Sequence, residues 1–186
     1  MEYTLYLDNS NVFIEGQKVS AVRKRMAKYV GEKDARGKQI HDTSYRLDFG
    51  KLIQITCGFQ ASVNKAKLYG SRPPTHDTVW DMAKEKGFEL IIFDKSYYGK
   101  EKKVDSTIVM NMTEDVLINL DPKTDQIVLI AGDADFIPVV QRAKQKGFSV
   151  KVAFWNHASH ELKQEASEFQ NLDSHLNDLS YYRGKK

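Results

Sequence analysis

The residues of this chain best suited to chemistry are four aspartates: Asp8, Asp105, Asp133 and Asp135. Asp8 ends the apolar run of residues 3–7, and the last two follow the apolar run of residues 127–131. Acids at the carboxyl ends of neighbouring parallel strands face the crevice in which open α/β sheets bind ligands. Clustered carboxylates repel one another unless they share a cation, and hard oxygen ligands suit Mg²⁺ or Mn²⁺. The sequence therefore indicates a divalent-metal site.

Each acidic motif also has a purely structural explanation. The tetrapeptide Asp8-Asn9-Ser10-Asn11 is typical of an Asx-turn that leads into a helix. Asp105 would stabilise the start of a helix through the helix dipole. Asp133 would cap the helix that follows it. A cap needs only one acid, so the pair Asp133 and Asp135 after such an apolar strand favours a site.

The hydrophobic pattern predicts the elements that position these acids. Strands are predicted at 3–8, 63–69, 88–93, 127–131 and 149–155. Helices are predicted at about 16–30, 75–86, 104–119, 134–146 and 158–166, together with one capped by Asp48. Residues 31–46 lack apolar periodicity and indicate an exposed loop. The alternation predicts an α/β, Rossmann-like three-layer fold, with a mainly parallel sheet of about five strands and helices on both faces.

Length and composition predict one soluble domain. The chain has 186 residues, of which 41% are hydrophobic and 28% charged, and we expect a domain over 1–173 and a basic tail over 174–186. The single cysteine, Cys57, falls in an apolar pattern and suits a reducing cytoplasm. We expect no signal peptide, because the chain opens almost directly with a strand, and no membrane partner, because no apolar stretch is long enough to cross a bilayer.

Positive charge is clustered, although the net charge is only +3. One cluster in residues 23–38 includes Arg36 and Lys38, and a second, just before Asp105, comprises Lys100, Lys102 and Lys103. Both are candidates for phosphate contact, while the tail charges are expected to be solvated. Tyr97 and Tyr98 would either stack bases or belong to an ordinary loop. His157 and His160 lack a third ligand nearby, and they indicate a solvated helix start more than a zinc site.

Three ordered motifs resemble the NYN domain family, which belongs to the PIN-like superfamily of metal-dependent nucleases. They are Asp8-Asn9-Ser10-Asn11, Lys103-Val104-Asp105 and Gly132-Asp133-Ala134-Asp135-Phe136, the last followed by Pro138 and Gly147. The likeness covers about residues 3–155. Two positions depart from the family pattern: Asn111 stands where another Asp is frequent, and Ala131 where a hydroxyl is frequent.

The resemblance implies a PIN-like fold and an Mg²⁺ or Mn²⁺ site at Asp8, Asp105, Asp133 and Asp135. It implies an endoribonuclease that hydrolyses phosphodiester bonds of single-stranded or structured RNA, with Asn9 and Asn11 supporting the acids. A non-catalytic RNA-binding or regulatory module with a vestigial site is the main alternative, which the two departures favour. Self-association stays open.

Three other α/β classes fit less well. A haloacid-dehalogenase-type phosphatase needs an acid where Ser10 stands. A phospho-receiver domain needs an acceptor such as Asp94 and a lysine where Asn156 stands. A topoisomerase-primase domain normally has Glu as its first acid, where this chain has Asp8.

Overall fold

The computed structural model describes residues 1–72, 78–94 and 102–181, whose strands form a single parallel sheet. Its six strands are β1 (Glu2–Asp8), β2 (Ser62–Arg72), β3 (Phe88–Asp94), β4 (Asp125–Ile130), β5 (Val150–Phe154) and β6 (Glu168–Asn171). They are ordered β3-β2-β1-β4-β5-β6, and every pairing is parallel. Along the chain, β2 and β3 are added on one side of β1, and β4, β5 and β6 are then added on its other side.

Helices cover both faces of the sheet, which confirms the predicted three layers. They are α1 (Asn9–Arg23), α2 (Phe49–Cys57), α3 (Thr78–Glu85), α4 (Lys102–Glu114), α5 (Ile137–Gln145), α6 (His160–Glu165) and α7 (Leu176–Leu179). Side chains alternate along each strand. Leu5 and Leu7 therefore join a core with α1, α2, α3 and α7, whereas Tyr6 joins a core with α4, α5 and α6.

The sixth strand was not predicted. β6 has the sequence Glu-Phe-Gln-Asn, with two half-buried and two exposed residues, and it lies at the edge of the sheet beside β5. A four-residue edge strand with one apolar side chain gives no hydrophobic pattern that could distinguish it from a loop.

Helix α1 starts seven residues earlier than predicted, directly after Asp8. Gly16 lies in its middle because the helix packs closely there: a Cβ at Gly16 would come within 2.7 Å of the Trp155 ring and 2.8 Å of Tyr45. The Trp155 indole also donates a hydrogen bond of 2.9 Å to the Val12 carbonyl. These contacts fix the start of α1 against the ends of the central strands.

Helix α4 is fixed to the sheet by its buried face and by the turn that follows it. Val104, Ile108 and Met112 form its buried face. Beyond its end, a π-helical turn over Asp115–Asn119 places the buried Asp115 carboxylate 2.5 Å from the Tyr6 hydroxyl and 2.7 Å from Lys67 Nζ. Burial raises the pKa of Asp115, but these donors outweigh it and lower that pKa overall. The acid is therefore ionised and ties α4 to β1 and β2.

Residues 31–46 are not exposed throughout, contrary to the prediction. Asp42 is 3% exposed and Tyr45 is fully buried. The Asp42 carboxylate accepts hydrogen bonds from the Ser20 hydroxyl at 2.5 Å and Lys24 Nζ at 2.7 Å, so the segment is fastened to α1.

Other local predictions agree with the structure. Asp48 caps α2 by accepting a hydrogen bond of 2.9 Å from the Lys51 backbone N–H. Gly87 and Gly147 follow α3 and α5 with φ of 89° and 90°, and Cys57 is buried and free. Across the described ranges, none of the helices combines the length and apolar character of a membrane span.

The packed part of the chain extends beyond residue 173, the end predicted for the domain. Leu176 and Leu179 of α7 lie in the core with α1 and α2, at 4% and 0% exposure. Residues 182–186, at the end of the predicted tail, lie outside the described residues.

Candidate metal and nucleic-acid site

The site lies where the chain's direction across the sheet reverses, between β1 and β4. Leu7 pairs with Ile130, so the carboxyl ends of these strands are adjacent. In an open parallel sheet this switch point leaves a crevice, because the helices that follow the two strands lie on opposite faces. Asp8 ends β1, and Asp133 comes three residues after the end of β4.

A pocket of about 180 Å³ occupies this crevice. Four carboxylates line it: Asp8, Glu15, Asp105 and Asp133. Asn11 also lines it, together with the half-exposed Ile14. The structure therefore brings together three of the four predicted aspartates and adds one acid that sequence reasoning missed.

Asp8 is nearly buried, at 2% exposure. Its Oδ1 accepts a hydrogen bond of 3.1 Å from the backbone N–H of Asn11, so Asp8 caps α1. The capping explanation is correct for this residue, and the same carboxylate also faces the pocket.

Asp133 behaves differently, because its side chain makes no capping hydrogen bond to the turn that follows it. Its Oδ2 instead accepts a hydrogen bond of 2.6 Å from Nδ2 of Asn11, across the crevice. Partial burial raises the pKa of Asp133, and the charges of Asp135 and Glu15 raise it further. This acid is thus directed into the pocket at an electrostatic cost.

Gly132, immediately before Asp133, is required for space. A Cβ at Gly132 would come within 2.2 Å of the Phe154 ring. The φ angle of Gly132 is not positive, so space and not backbone conformation requires the glycine. The close approach lets the chain leave β4 beside β5 and turn toward α1.

The other predicted residues are distributed as follows. Asp105 is half-buried in the first turn of α4 and lines the pocket. Asp135 is exposed in the turn after Asp133 and does not line the pocket, although its charge acts on Asp133. Asn9 is buried below the crevice without lining it. Asn111 donates a hydrogen bond of 3.1 Å to the Tyr69 hydroxyl.

The predicted basic residues are only partly described. Arg36 and Lys38 are exposed in a turn whose backbone N–H groups donate to the Asp34 carboxylate at 2.8 and 3.0 Å. Lys103 is exposed two residues before Asp105. Lys100, Tyr97, Tyr98 and the side chain of Lys102 lie outside the described residues.

Sequence reasoning missed Glu15, and it assigned His157 to a solvated helix start without finding its contact with Glu15. Nε2 of His157 lies 2.8 Å from Glu15 Oε2, and Lys18 Nζ lies 2.6 Å from Glu15 Oε1. Burial raises the pKa of Glu15, but hydrogen bonds from His157 and Lys18 outweigh it, so the pKa is lowered overall. Glu15 follows Asn11 by one helical turn, a signal that was hidden because α1 was predicted to begin at residue 16.

A second pocket of about 340 Å³ adjoins the first and shares Asn11, Glu15 and Asp133 with it. His157, Ser159 and Phe154 form its other side. The Ser159 backbone N–H donates a hydrogen bond of 2.8 Å to the Gly132 carbonyl, so the loop before α6 is fixed to the exit of β4.

The donor set fits a hard divalent cation. Carboxylate oxygens suit Mg²⁺ or Mn²⁺, and the buried Oδ1 of Asn11 has no hydrogen-bond partner among the residues that the structure describes. Within residues 1–72, 78–94 and 102–181, no three His, Cys, Asp or Glu side chains are arranged to hold one ion directly. Mg²⁺ usually keeps several waters and uses one or two carboxylates together with substrate phosphates. The pocket therefore suits an ion held by one or two carboxylates better than one enclosed by protein ligands.

Fold and site together define a PIN-like α/β domain with an acidic crevice at the switch point of a parallel sheet. The NYN domain family model matches residues 5–173, nearly the whole chain. The chain belongs to the NYN domain family, a PIN-like family of nucleases that generally depend on divalent metals.

A crystal structure of a Vibrio parahaemolyticus protein of unknown function has the same fold. It aligns with a TM-score of 0.67 and 18% sequence identity, over 97% of this chain and 96% of that one. No curated protein is similar enough to this chain to count as a match.

Proposed function

We propose that this chain is a metal-dependent endoribonuclease that hydrolyses phosphodiester bonds of RNA at the carboxylate pocket. The observation that supports this most is the direction of Asp133, whose side chain forgoes the helix cap and joins Asp8 and Asp105 around one crevice. Capping explains Asp8, and the helix dipole explains Asp105 in the first turn of α4, but neither explains why Asp133 converges with them at the ligand crevice of the sheet.

The residues of the chain have distinct roles in this proposal. Asp8, Asp105 and Asp133 would hold Mg²⁺ or Mn²⁺, with Asp135 contributing through its charge. A bound divalent cation supplies a water of lowered pKa and neutralises charge that develops on the phosphate. Asn11 holds the Asp133 carboxylate in place by its hydrogen bond of 2.6 Å. Lys103 is exposed two residues before Asp105 and would attract the RNA backbone.

Replacing Asp133 by Asn tests this function. Labelled RNA, single-stranded and structured, is incubated with Mn²⁺ or Mg²⁺, with and without a chelator. We expect cleavage that the chelator stops and that Asp133→Asn abolishes, because the loss of one charge weakens cation binding. Asp178→Asn, the same change at an exposed carboxylate on α7, should cleave like the wild type. Wild-type rates for Asp133→Asn at limiting Mg²⁺ would refute the assignment.

A non-catalytic RNA-binding module is the second candidate. It is favoured by the absence of a three-ligand cluster among the described residues, and by Asn111 bonding to Tyr69 rather than facing the pocket. In that case the same experiment shows RNA binding without cleavage at any Mn²⁺ concentration.

A further inference from the structure

The second pocket differs from the carboxylate pocket in having His157, Ser159 and Phe154 beside the residues that the two pockets share. Its inner wall is the Glu15 carboxylate, which is 21% exposed as a side chain and has a lowered pKa. An anionic group at this position repels a phosphate and attracts a hydroxyl or amino donor. The pocket is therefore suited to the sugar or base of a nucleotide and not to its phosphate.

Glu15 is held rigidly enough to select a donor. His157 contacts one of its oxygens and Lys18 the other, at 2.8 and 2.6 Å. The His157 ring in turn packs edge-on against Phe154, with ring centroids 6.0 Å apart and planes at 67°. A carboxylate offers about four acceptor sites on its two oxygens, so two partners leave acceptor capacity toward the pocket.

The position of the pocket identifies which nucleotide would enter it. The second pocket shares Asn11, Glu15 and Asp133 with the carboxylate pocket. A ribose covalently attached to a phosphate in the carboxylate pocket would therefore reach Glu15. The volume of about 340 Å³ lies within the range of small-ligand sites. The 2′-hydroxyl is the donor by which a protein distinguishes RNA from DNA at a given position.

We propose that Glu15 and His157 form a ribose subsite, in which Glu15 accepts the 2′-hydroxyl of the nucleotide that adjoins the scissile phosphate. His157 is a positioning residue that orients Glu15. The subsite gives the pocket a preference for RNA over DNA. This inference rests on the proposed nuclease function, and it concerns residues outside the predicted set of aspartates.

The test compares RNA with copies that carry a single 2′-deoxy nucleotide on either side of the mapped cleavage point. For the wild type, we expect kcat/KM to fall about tenfold or more for one of the two copies. In Glu15→Ala the ratio of kcat/KM between RNA and that copy should approach one, and in His157→Phe it should decrease. Glu85→Ala, the same change at an exposed site at the end of α3, should keep the wild-type ratio. If this ratio of kcat/KM is equal in wild type and Glu15→Ala, the subsite is overturned. It is also overturned if neither the wild type nor Glu15→Ala cleaves the 2′-deoxy copy.

A binding measurement separates failure of the subsite from failure of the nuclease proposal. Fluorescence anisotropy with Ca²⁺ in place of Mn²⁺, so that a cation is still present to hold the phosphate in the carboxylate pocket, gives the Kd of the same sequence as RNA and as DNA. We expect the wild type to prefer RNA, and Glu15→Ala to lose most of that preference. If the protein binds RNA without cutting it, this ratio still tests Glu15. An unchanged preference in the variant would refute the subsite even if cleavage occurs.

Discussion

At the residue scale, Asn11 organises the site. Its backbone N–H donates to Asp8 and its side chain donates to Asp133, so one residue joins the ends of β1 and β4. The two acids therefore differ in what explains them. Asp8 has a structural role as a cap as well as a place in the pocket, whereas Asp133 is held away from the turn that it begins.

The charge on Asp133 leads to a prediction about stability. Its pKa is raised by partial burial and by the charges of Asp135 and Glu15. We expect metal-free Asp133→Asn to melt at a higher temperature than the metal-free wild type, because the change removes this repulsion. Such a gain is common where function conflicts with stability.

Thermal melts of both proteins, each with a chelator and with Mn²⁺, check this prediction. Binding to the native state alone stabilises by about 2.7 kcal/mol at a hundredfold excess over Kd. The wild type should show such an increase, and Asp133→Asn should lose most of it. A wild-type melt that does not respond to millimolar Mn²⁺ would mean that the pocket is not a working metal site.

Sequence alone identified the aspartates because each follows or opens an element with a clear apolar pattern. It did not find the pair Glu15 and His157, which lie 142 positions apart and meet only in the folded chain. Nor could it choose between capping and site formation for Asp133. That choice depends on the hydrogen bond that Asp133 accepts from Asn11, which lies at the start of α1 on the other side of the crevice.

At the scale of elements, α1 shows how packing overrides local pattern. The run Asp8-Asn9-Ser10-Asn11 was interpreted as an Asx-turn, and the helix was predicted to begin at about residue 16. Gly16 instead lies in the middle of α1, although glycine is unfavourable within helices. Trp155 and Tyr45 occupy the space where a Cβ of Gly16 would lie. Close packing against Trp155 and Tyr45 therefore requires glycine at position 16, and that glycine makes the helix harder to predict from sequence.

The segment between α1 and α2 depends on Asp42 and has a predictable response to acid. Salt bridging and hydrogen bonds from Lys24, Ser20 and Ser44 outweigh burial and hold the pKa of Asp42 well below its usual range. A depressed folded-state pKa contributes stability above the unfolded value of about 3.9, and that contribution is lost as pH falls toward the folded value. Asp42→Asn should therefore destabilise by about 1–3 kcal/mol at neutral pH.

Urea unfolding at a series of pH values checks this sign. The difference between wild type and Asp42→Asn should be constant from pH 7 to about pH 4 and then shrink. The exposed-site variant Asp178→Asn should differ little from wild type throughout. A difference that grows below pH 4 would contradict the assignment of Asp42 as the acid that holds this segment.

The turn carrying Arg36 and Lys38 leads to a prediction about RNA affinity. Each lost phosphate contact reduces the slope of log K against log salt by about 0.7–0.9. The double variant Arg36→Glu, Lys38→Glu should therefore bind RNA more weakly and with a flatter salt dependence, while turnover at saturating RNA persists. The control is Lys84→Glu, Lys86→Glu, at an exposed pair near the end of α3. An unchanged slope would identify the turn as an ordinary solvated surface.

At the scale of the whole molecule, the alternation of strands and helices was enough to predict the parallel sheet and its three layers. The chain after residue 166 was not predictable, because β6 and α7 have four residues each and carry little pattern. Burial against distant elements determines their structure.

Truncation tests where the domain ends. A chain ending at residue 173 loses Leu176 and Leu179, both buried in the core with α1 and α2. Removing large core side chains costs about 2–5 kcal/mol each, so this chain should be severely destabilised in urea unfolding. A chain ending at residue 181 keeps both leucines and should unfold like the full protein. Equal stability of the two truncations would place the domain boundary at residue 173.

The central position of β1 has a consequence for the order in which the molecule assembles. β1 is the first strand made, yet it pairs with β4, whose residues 125–130 are synthesised much later. Until then one edge of the apolar β1 is unpaired, and such edges recruit other chains. Non-local parallel pairing is also slow to form. A chain that is still being synthesised is therefore prone to aggregate for a long time. That period ends only when β4 pairs with β1, and the same pairing completes the crevice.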